Sequence, residues 1–265
     1  MTHCDILLFF ATTSEKEQLQ KAANDRGIDF KKTQGERLVY YDLGRIGTIR
    51  VMAHKCEMGP FSPNGSAARA IRASSETQAT SIISMGMAFG VDRTLQEGGD
   101  VLVSEQLRPY DYKKVICNQQ SHASSKDTPS GVSEDFSKTP SYLPKSFLLD
   151  LFKTQNQVFK TGRNYSVFFG SILSGGAMIH CDRYRDYLQA HLSKSGAPVI
   201  GGEMEGIGII SSTHSIEDPN WIIVKGISDF ADSNREDEII RFREPACFNS
   251  ASFILDSLRN FNPQT

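Results

Sequence analysis

This chain lacks an excess of charge of one sign, paired cysteines and long apolar runs, and each absence removes a class of function. Its 265 residues carry a formal net charge of −2 and a pI near 6.3, so nothing electrostatic favours nucleic acid or a membrane surface as a partner. The five cysteines (Cys4, Cys56, Cys117, Cys181, Cys247) stand singly. With an odd count, no CxxC pair and no HExxH, neither a disulfide framework nor a structural zinc site is expected. His180 beside Cys181 comes nearest to a ligand pair, but neighbouring side chains on an extended segment point apart. The N-terminal MTHCDILLFF has no basic region before its short apolar run and no long span after it, so neither a signal peptide nor a transmembrane helix is expected. A cytoplasmic location follows as an expectation. No internal repeat is visible and no linker divides the chain evenly, so residues 1–265 are expected to form one domain.

The composition is 39% hydrophobic, enough for a sizeable core. Asp5 to Ala11 reads as a buried first strand, and Thr12, Thr13 and Ser14 are N-cap candidates for a helix to about Asn24. Arg37 to Leu43 and Thr48 to His54 flank the turn Gly44 to Gly47 as a β-hairpin. The loop Glu57 to Ser66 is rich in Gly and Pro but does not match GxxxxGK[ST], which excludes a mononucleotide P-loop. It leads into a helix, Ala67 to Gln78, and the strand Ser81 to Met85. Gly86 to Gly90 (GMAFG) then reads as a close backbone turn, and Val101 to Gln106 as a further strand. A polar, aperiodic stretch around 117–143 reads as a surface excursion or lid. Beyond it the pattern gives helices at Pro144 to Phe159, Arg183 to Leu192, Glu205 to His214 and Pro245 to Phe261. These alternate with strands at Ser166 to Leu173, Val199 to Gly201 and Ile222 to Ile227. This alternation predicts an α/β fold, a mixed but mostly parallel central sheet between helices, with one antiparallel hairpin.

Two acidic stretches stand out: GGEMEG at Gly201 to Gly206 and VKGISDFAD at Val224 to Asp232. The first places Glu203 and Glu205 two residues apart after an apolar run, so on a strand both would face one side. The second ends a strand-like run in Ser228 and Asp229. Carboxylates at neighbouring strand ends lie where α/β folds bind ligands.

Taken in order, GMAFG, GDVLVSEQLR (Gly99 to Arg108), SILSGG (Ser171 to Gly176), GGEMEG and KGISDFAD resemble the purine nucleoside phosphorylase and nucleosidase superfamily. The likeness is greatest to the branch of the methylthioadenosine/S-adenosylhomocysteine nucleosidases and bacterial nucleotide nucleosidases, and it covers nearly the whole chain. It implies a three-layer sandwich and cleavage of a purine N-glycosidic bond, without cofactor or metal. The substrate implied is an adenine nucleoside or nucleotide, of methylthioadenosine or AMP/ATP type. It also implies a homo-oligomer, dimer or hexamer.

The resemblance assigns Asp229 as the acid that protonates purine N7, a role that needs a pKa raised by burial; a helix N-cap is the alternative for an Asp after a strand. Glu205 matches the carboxylate that binds the ribose hydroxyls, and Met204 the residue under the sugar. Glu203 and Ser228 lie beside them, with support of the loop the first reading for Glu203. Met178 and Ile179 fall where the family contacts the base, though an apolar core position suits both equally. Ala88, Phe89 and Gly90 border the substrate on the glycine-rich segment.

Phosphorylases of this superfamily hold phosphate with arginines on the first loop and on the strand before the glycine-rich turn. Here those places carry ATTSEKE (Ala11 to Glu17) and Ser84 with Met85. Nucleosidases instead place a water-activating glutamate on the first loop, and Glu15 matches it, with Glu17 close by; alone, either would read as a favourable charge in a helix's first turn. Hydrolysis is therefore implied ahead of phosphorolysis or a catalytically silent nucleotide sensor. Met87, Gly176 and the longer lid depart from the family pattern and bear on the substrate. Lys55, Arg108, Lys113 and Lys114 lie near loops that border the sugar's 5′ side; Arg108 and Lys55 suggest a 5′-phosphate clamp, with a solvated basic surface as the alternative.

Overall fold

The computed structural model describes residues 3–117, 132–158, 162–194, 196–213 and 220–260. Strand β1 (Ile6–Phe10) is buried at every position. Its side chains alternate between two cores: Ile6, Leu8 and Phe10 face one, Leu7 and Phe9 the other. A strand covered on both sides reads as an unbroken apolar run for this reason. Helix α1 (Thr13–Asn24) follows, started by a capping box. The Thr12 side chain accepts from the backbone N–H of Glu15, and the Glu15 carboxylate accepts from that of Thr12.

Strands β2 (Lys31–Gln34), β3 (Val39–Ile46) and β4 (Ile49–Lys55) form an antiparallel ladder. After α2 (Ser66–Thr77) come β5 (Ser81–Gly90), β6 (Val101–Pro109) and the small hairpin β7 (Lys114–Cys117) with β8 (Val132–Asp135). Helix α3 (Ser146–Val158), β9 (Val167–Ser174), α4 (Asp182–Leu192), β10 (Val199–Glu203), α5 (Gly206–Thr213), β11 (Asn220–Asp229) and α6 (Arg235–Arg259) complete the order.

Among the described residues, nine strands make one mixed sheet in the order β10-β9-β6-β11-β5-β1-β4-β3-β2. Helices α1 and α6 pack together on one face, and α2 and α5 on the other. Strand β10 also pairs antiparallel with β5, Gly201 with Gly90 and Gly202 with Phe89. That extra pairing brings the start of GGEMEG against the end of GMAFG.

The alternating α/β order agrees with the sequence pattern, and the differences have physical causes. GMAFG is not a turn: β5 runs through it to Gly90, because Gly86, Met87 and Ala88 are paired with Lys225, Gly226 and Ile227 of β11. Antiparallel contacts are more numerous than one hairpin, since β6 with β11 and β5 with β10 also run antiparallel. Helix α6 begins ten residues before Pro245, which lies inside it and was expected to start it. One lost backbone hydrogen bond is outweighed there by close docking: a Cβ on Gly226 would lie 2.1 Å from the carbonyl oxygen of Ala246. The ends of the lid stretch pair as β7 and β8, whereas residues 118–131, and the expected helix ends at Phe159, His214 and Phe261, lie outside the described residues.

Candidate active site

At the C-terminal ends of β5, β10 and β11 lies a cavity of about 330 Å³. Its walls come from the loop after β1, the start of α1, the segment after β9, the GGEMEG turn and the first turns of α6.

Glu15 is 2% exposed although it stands in a helix's first turn. Its Oε2 accepts from the N–H groups of Ala11 at 2.8 Å and Thr12 at 2.7 Å, and Oε1 accepts from that of Met87 at 3.0 Å. A carboxylate offers about four lone-pair sites, so one acceptor site remains, on Oε1. Gly86 makes this approach possible. It has φ +133°, and a Cβ there would sit 1.8 Å from Glu15 Oε1, a position closed to any other residue.

Two carboxylates and one ammonium form the floor. Lys225 is fully buried, with Nζ 2.8 Å from Glu205 Oε2 and 3.7 Å from Glu203 Oε2. Burial works to lower its pKa, but the carboxylates of Glu205, Glu203 and Glu15 outweigh it and hold the ammonium charged. The other oxygen of Glu205 accepts from Gly59 N–H at 3.1 Å. Glu203 lies at the end of β10 and accepts from the N–H groups of Glu205 and Gly206, which satisfies donors at the start of α5. Burial raises its pKa, against the pull of Lys225. Glu205 stands one residue past Met204, beyond the strand, and not on the same strand face as Glu203.

Asp229 ends β11. Its Oδ2 accepts from the Ser228 hydroxyl at 2.8 Å and its Oδ1 from Ala231 N–H at 2.9 Å. That second bond follows from the left-handed backbone of Ala231, φ +53°, a conformation that costs a non-glycine residue about 1–2 kcal/mol. Burial raises the pKa of Asp229; the Ala231 N–H, the Ser228 hydroxyl and Arg235, whose Nε is 3.5 Å from Oδ1, act against it.

Of the residues singled out in the sequence, Asp229, Glu15, Glu205, Met204, Glu203, Ser228, Met178, Ile179, Ala88 and Phe89 all line this one cavity. Three others do not. Gly90 is a packing position, where a Cβ would meet Phe230 at 2.8 Å and Gln96 at 3.0 Å. Arg108 points the other way, because its guanidinium is buried against the C-terminal end of α4, donating to the Leu192 carbonyl at 2.7 Å. Lys55 is exposed outside the cavity, 3.3 Å from the Thr13 hydroxyl. Lys113 pairs with Glu134 at 2.6 Å. The basic cluster expected beside the sugar therefore does not assemble.

The cations near the cavity are others: Arg235 and Arg243, which line it with Ile239 from one face of α6, and Lys225 beneath it. Lys225 has a visible signal, a lone charge inside the apolar run WIIVKGI. The α6 arginines have none, since the sequence pattern starts the helix at Pro245, beyond both of them. Among the described residues, no group of three or more His, Cys, Asp or Glu is placed to hold a metal, and no helix is long and apolar enough to cross a membrane.

No protein-family model matches the chain. Over 94 residues it is 31% identical to the 5′-methylthioadenosine/S-adenosylhomocysteine nucleosidase of Mycobacterium bovis, and equally to that of Mycobacterium tuberculosis. These matches cover 36% of the chain and span about a third of the length of either relative, 34%. Solved structures agree over far more. The nucleosidase of Neisseria meningitidis in complex with methylthio-immucillin-A superposes with a TM-score of 0.73 at 19% identity, covering 97% of this chain and 99% of that one. The S-adenosylhomocysteine nucleosidase of Streptococcus pyogenes with 5-methylthiotubericidin gives 0.73 at 22% identity, with 99% of each chain covered. Futalosine hydrolase of Helicobacter pylori gives 0.69 at 17% identity, with 97% of each covered. The chain shares the fold of these nucleosidases and of futalosine hydrolase, and its motifs resemble the purine nucleoside phosphorylase and nucleosidase superfamily.

Proposed function

We propose that the protein is a purine nucleosidase that hydrolyses the N-glycosidic bond of an adenine nucleoside or nucleotide. The observation that carries this reading is the placement of Asp229 and Glu15 on the wall of one cavity, one carboxyl group with its pKa raised by burial and the other with an acceptor site free. Breaking the bond between ribose C1′ and purine N9 leaves positive charge on the sugar and negative charge on the base. Asp229 supplies the proton to N7, so adenine departs neutral. Water, giving a proton to Glu15, forms the new C1′–O bond. Glu205 accepts hydrogen bonds from the vicinal ribose hydroxyls, and its charge favours the cationic sugar over the ground state. Lys225 holds that carboxylate in place.

Adenine as the base is supported by the adenosine analogues in complex with the Neisseria and Streptococcus proteins. Phosphorolysis is the second reading, favoured by one observation, the two arginines of α6 on the cavity wall. Exposed Met58, Phe61 and Met178 near the mouth support a homo-oligomer, dimer or hexamer, in which a second copy covers them. The protein works as one domain in the cytoplasm on this reading.

The test is chromatography of products from adenosine, methylthioadenosine, AMP and ATP, each incubated with and without inorganic phosphate. Hydrolysis gives adenine and the free sugar in phosphate-free buffer. Release of adenine only when phosphate is present, with a sugar 1-phosphate as the second product, would assign a phosphorylase.

A further inference from the structure

We propose that the substrate is a nucleoside 5′-phosphate and that Arg243 binds its phosphate group. This rests on the nucleosidase reading above and deepens it. Arg235, Ile239 and Arg243 recur every four residues on α6 and all three line the cavity, as one helix face should. Eight residues of helix span about 12 Å, so the two arginines serve different ends of the cavity. Arg235 is at the acid end, 3.5 Å from Asp229 Oδ1. Arg243 lies two turns further along the same helix face, toward the end of the cavity away from Asp229.

The carboxylates that face the cavity are already engaged. Glu15 accepts three backbone N–H groups, Glu203 two residues' N–H groups, Glu205 the Lys225 ammonium, and Asp229 lies beside Arg235. Among the described residues, none of them, nor any other carboxylate, is within ion-pair distance of Arg243. Its guanidinium therefore meets the cavity as an unneutralised cation, in a wall otherwise supplied at that point by Ile239. A thioether on the sugar's 5′ carbon gains nothing from such a group, whereas a phosphate dianion accepts from it in bidentate fashion. Arg108 and Lys55, the other basic residues that could reach a 5′ substituent, are respectively turned away and outside the cavity.

The same phosphate-binding chemistry would suit free inorganic phosphate, and the experiment separates the two sources. Values of kcat/KM for AMP and for methylthioadenosine are measured in phosphate-free buffer on the parent protein, Arg243→Leu and Arg243→Lys. Equilibrium binding of AMP and adenosine is measured in parallel by calorimetry. The AMP to methylthioadenosine ratio of kcat/KM is expected to fall about ten- to a hundredfold in Arg243→Leu, with partial recovery in Arg243→Lys. An unchanged ratio, or an equal loss on both substrates, would overturn the assignment. So would turnover of methylthioadenosine that depends on added phosphate and loses that dependence in Arg243→Leu. If no substrate releases its base, yet AMP binds more tightly than adenosine only while Arg243 is present, the hydrolysis reading fails and the phosphate-binding role of Arg243 stands.

Discussion

The floor and the rim of the cavity solve opposite problems with charge. On the floor, Glu203, Glu205 and Lys225 are buried and satisfy one another or nearby N–H groups, with Lys225 Nζ 2.8 Å from Glu205 and 3.7 Å from Glu203. On the rim, Arg243 is exposed, and Met58 and Met178 are 52% and 51% exposed. A buried charge without a partner costs several kcal/mol, so the floor is fixed before substrate arrives and offers little room for variation. Exposed groups carry no such penalty. On the proposed reading, the chemistry is therefore written into strand ends locked by pairing, and substrate choice is left to a helix face that can change without unfolding the protein.

The largest expected effect falls on the wall beside the floor, at the proposed acid. Asp229→Asn keeps the shape and the hydrogen bond from Ala231 N–H, but cannot deliver a proton in the same way; turnover should fall about a hundredfold to ten-thousandfold with adenine binding largely kept. Steady-state kinetics beside a thermal melt checks it, and near-normal turnover would remove Asp229 from the acid role.

Lys225→Met tests the floor as a structure. It leaves Glu203 and Glu205 buried without their cation, which should cost about 3–5 kcal/mol of stability, read from urea unfolding. The double variant in which Glu205 is also changed to Gln should recover part of that loss. An Arg243→Leu variant, by comparison, should unfold within about 0.5 kcal/mol of the parent, as surface changes do. Comparable losses for Lys225 and Arg243 would erase the distinction between floor and rim.

The smallest effect is on pH. Burial raises the Asp229 pKa above its ordinary 3.8, so in the window between that value and the folded one the native state holds more protons than the unfolded chain. Its contribution to stability is thus fully present below pH 3.8 and is lost as pH rises through the folded pKa. Glu203, raised by burial from 4.5, acts in the same direction. Unfolding free energies of the parent and Asp229→Asn across this range should converge differently on the two sides, with the parent losing stability relative to the variant as pH increases. In the parent, kcat/KM should fall on the alkaline side as the acid loses its proton. A falling limb that survives in Asp229→Asn would assign it to another group.

Much of the site was legible in the sequence because strand-end motifs fix local geometry. Glu203, Met204, Glu205, Ser228 and Asp229 are held by backbone pairing within a few residues, and Glu15 by a capping box within its own turn. Arg108 misled because its position on β6 is compatible with either side of the sheet end, and only packing against α4 decides which way a long side chain runs. The α6 arginines were hidden by Pro245, which reads as a helix start in isolation and is carried inside the helix by docking on β11.

By itself the sequence determined the alternation of strands and helices and the acids at their ends, since burial on both sheet faces demands apolar runs and the motifs interrupt them with charge. Tertiary structure alone decided what neutralises what. Lys225 meets Glu205 across twenty residues, Met87 N–H reaches Glu15 across seventy-two, and the closing pair of β10 with β5 brings two distant motifs to one wall. Those contacts depend on sheet order and on space at Gly86, where distance along the chain gives no guide.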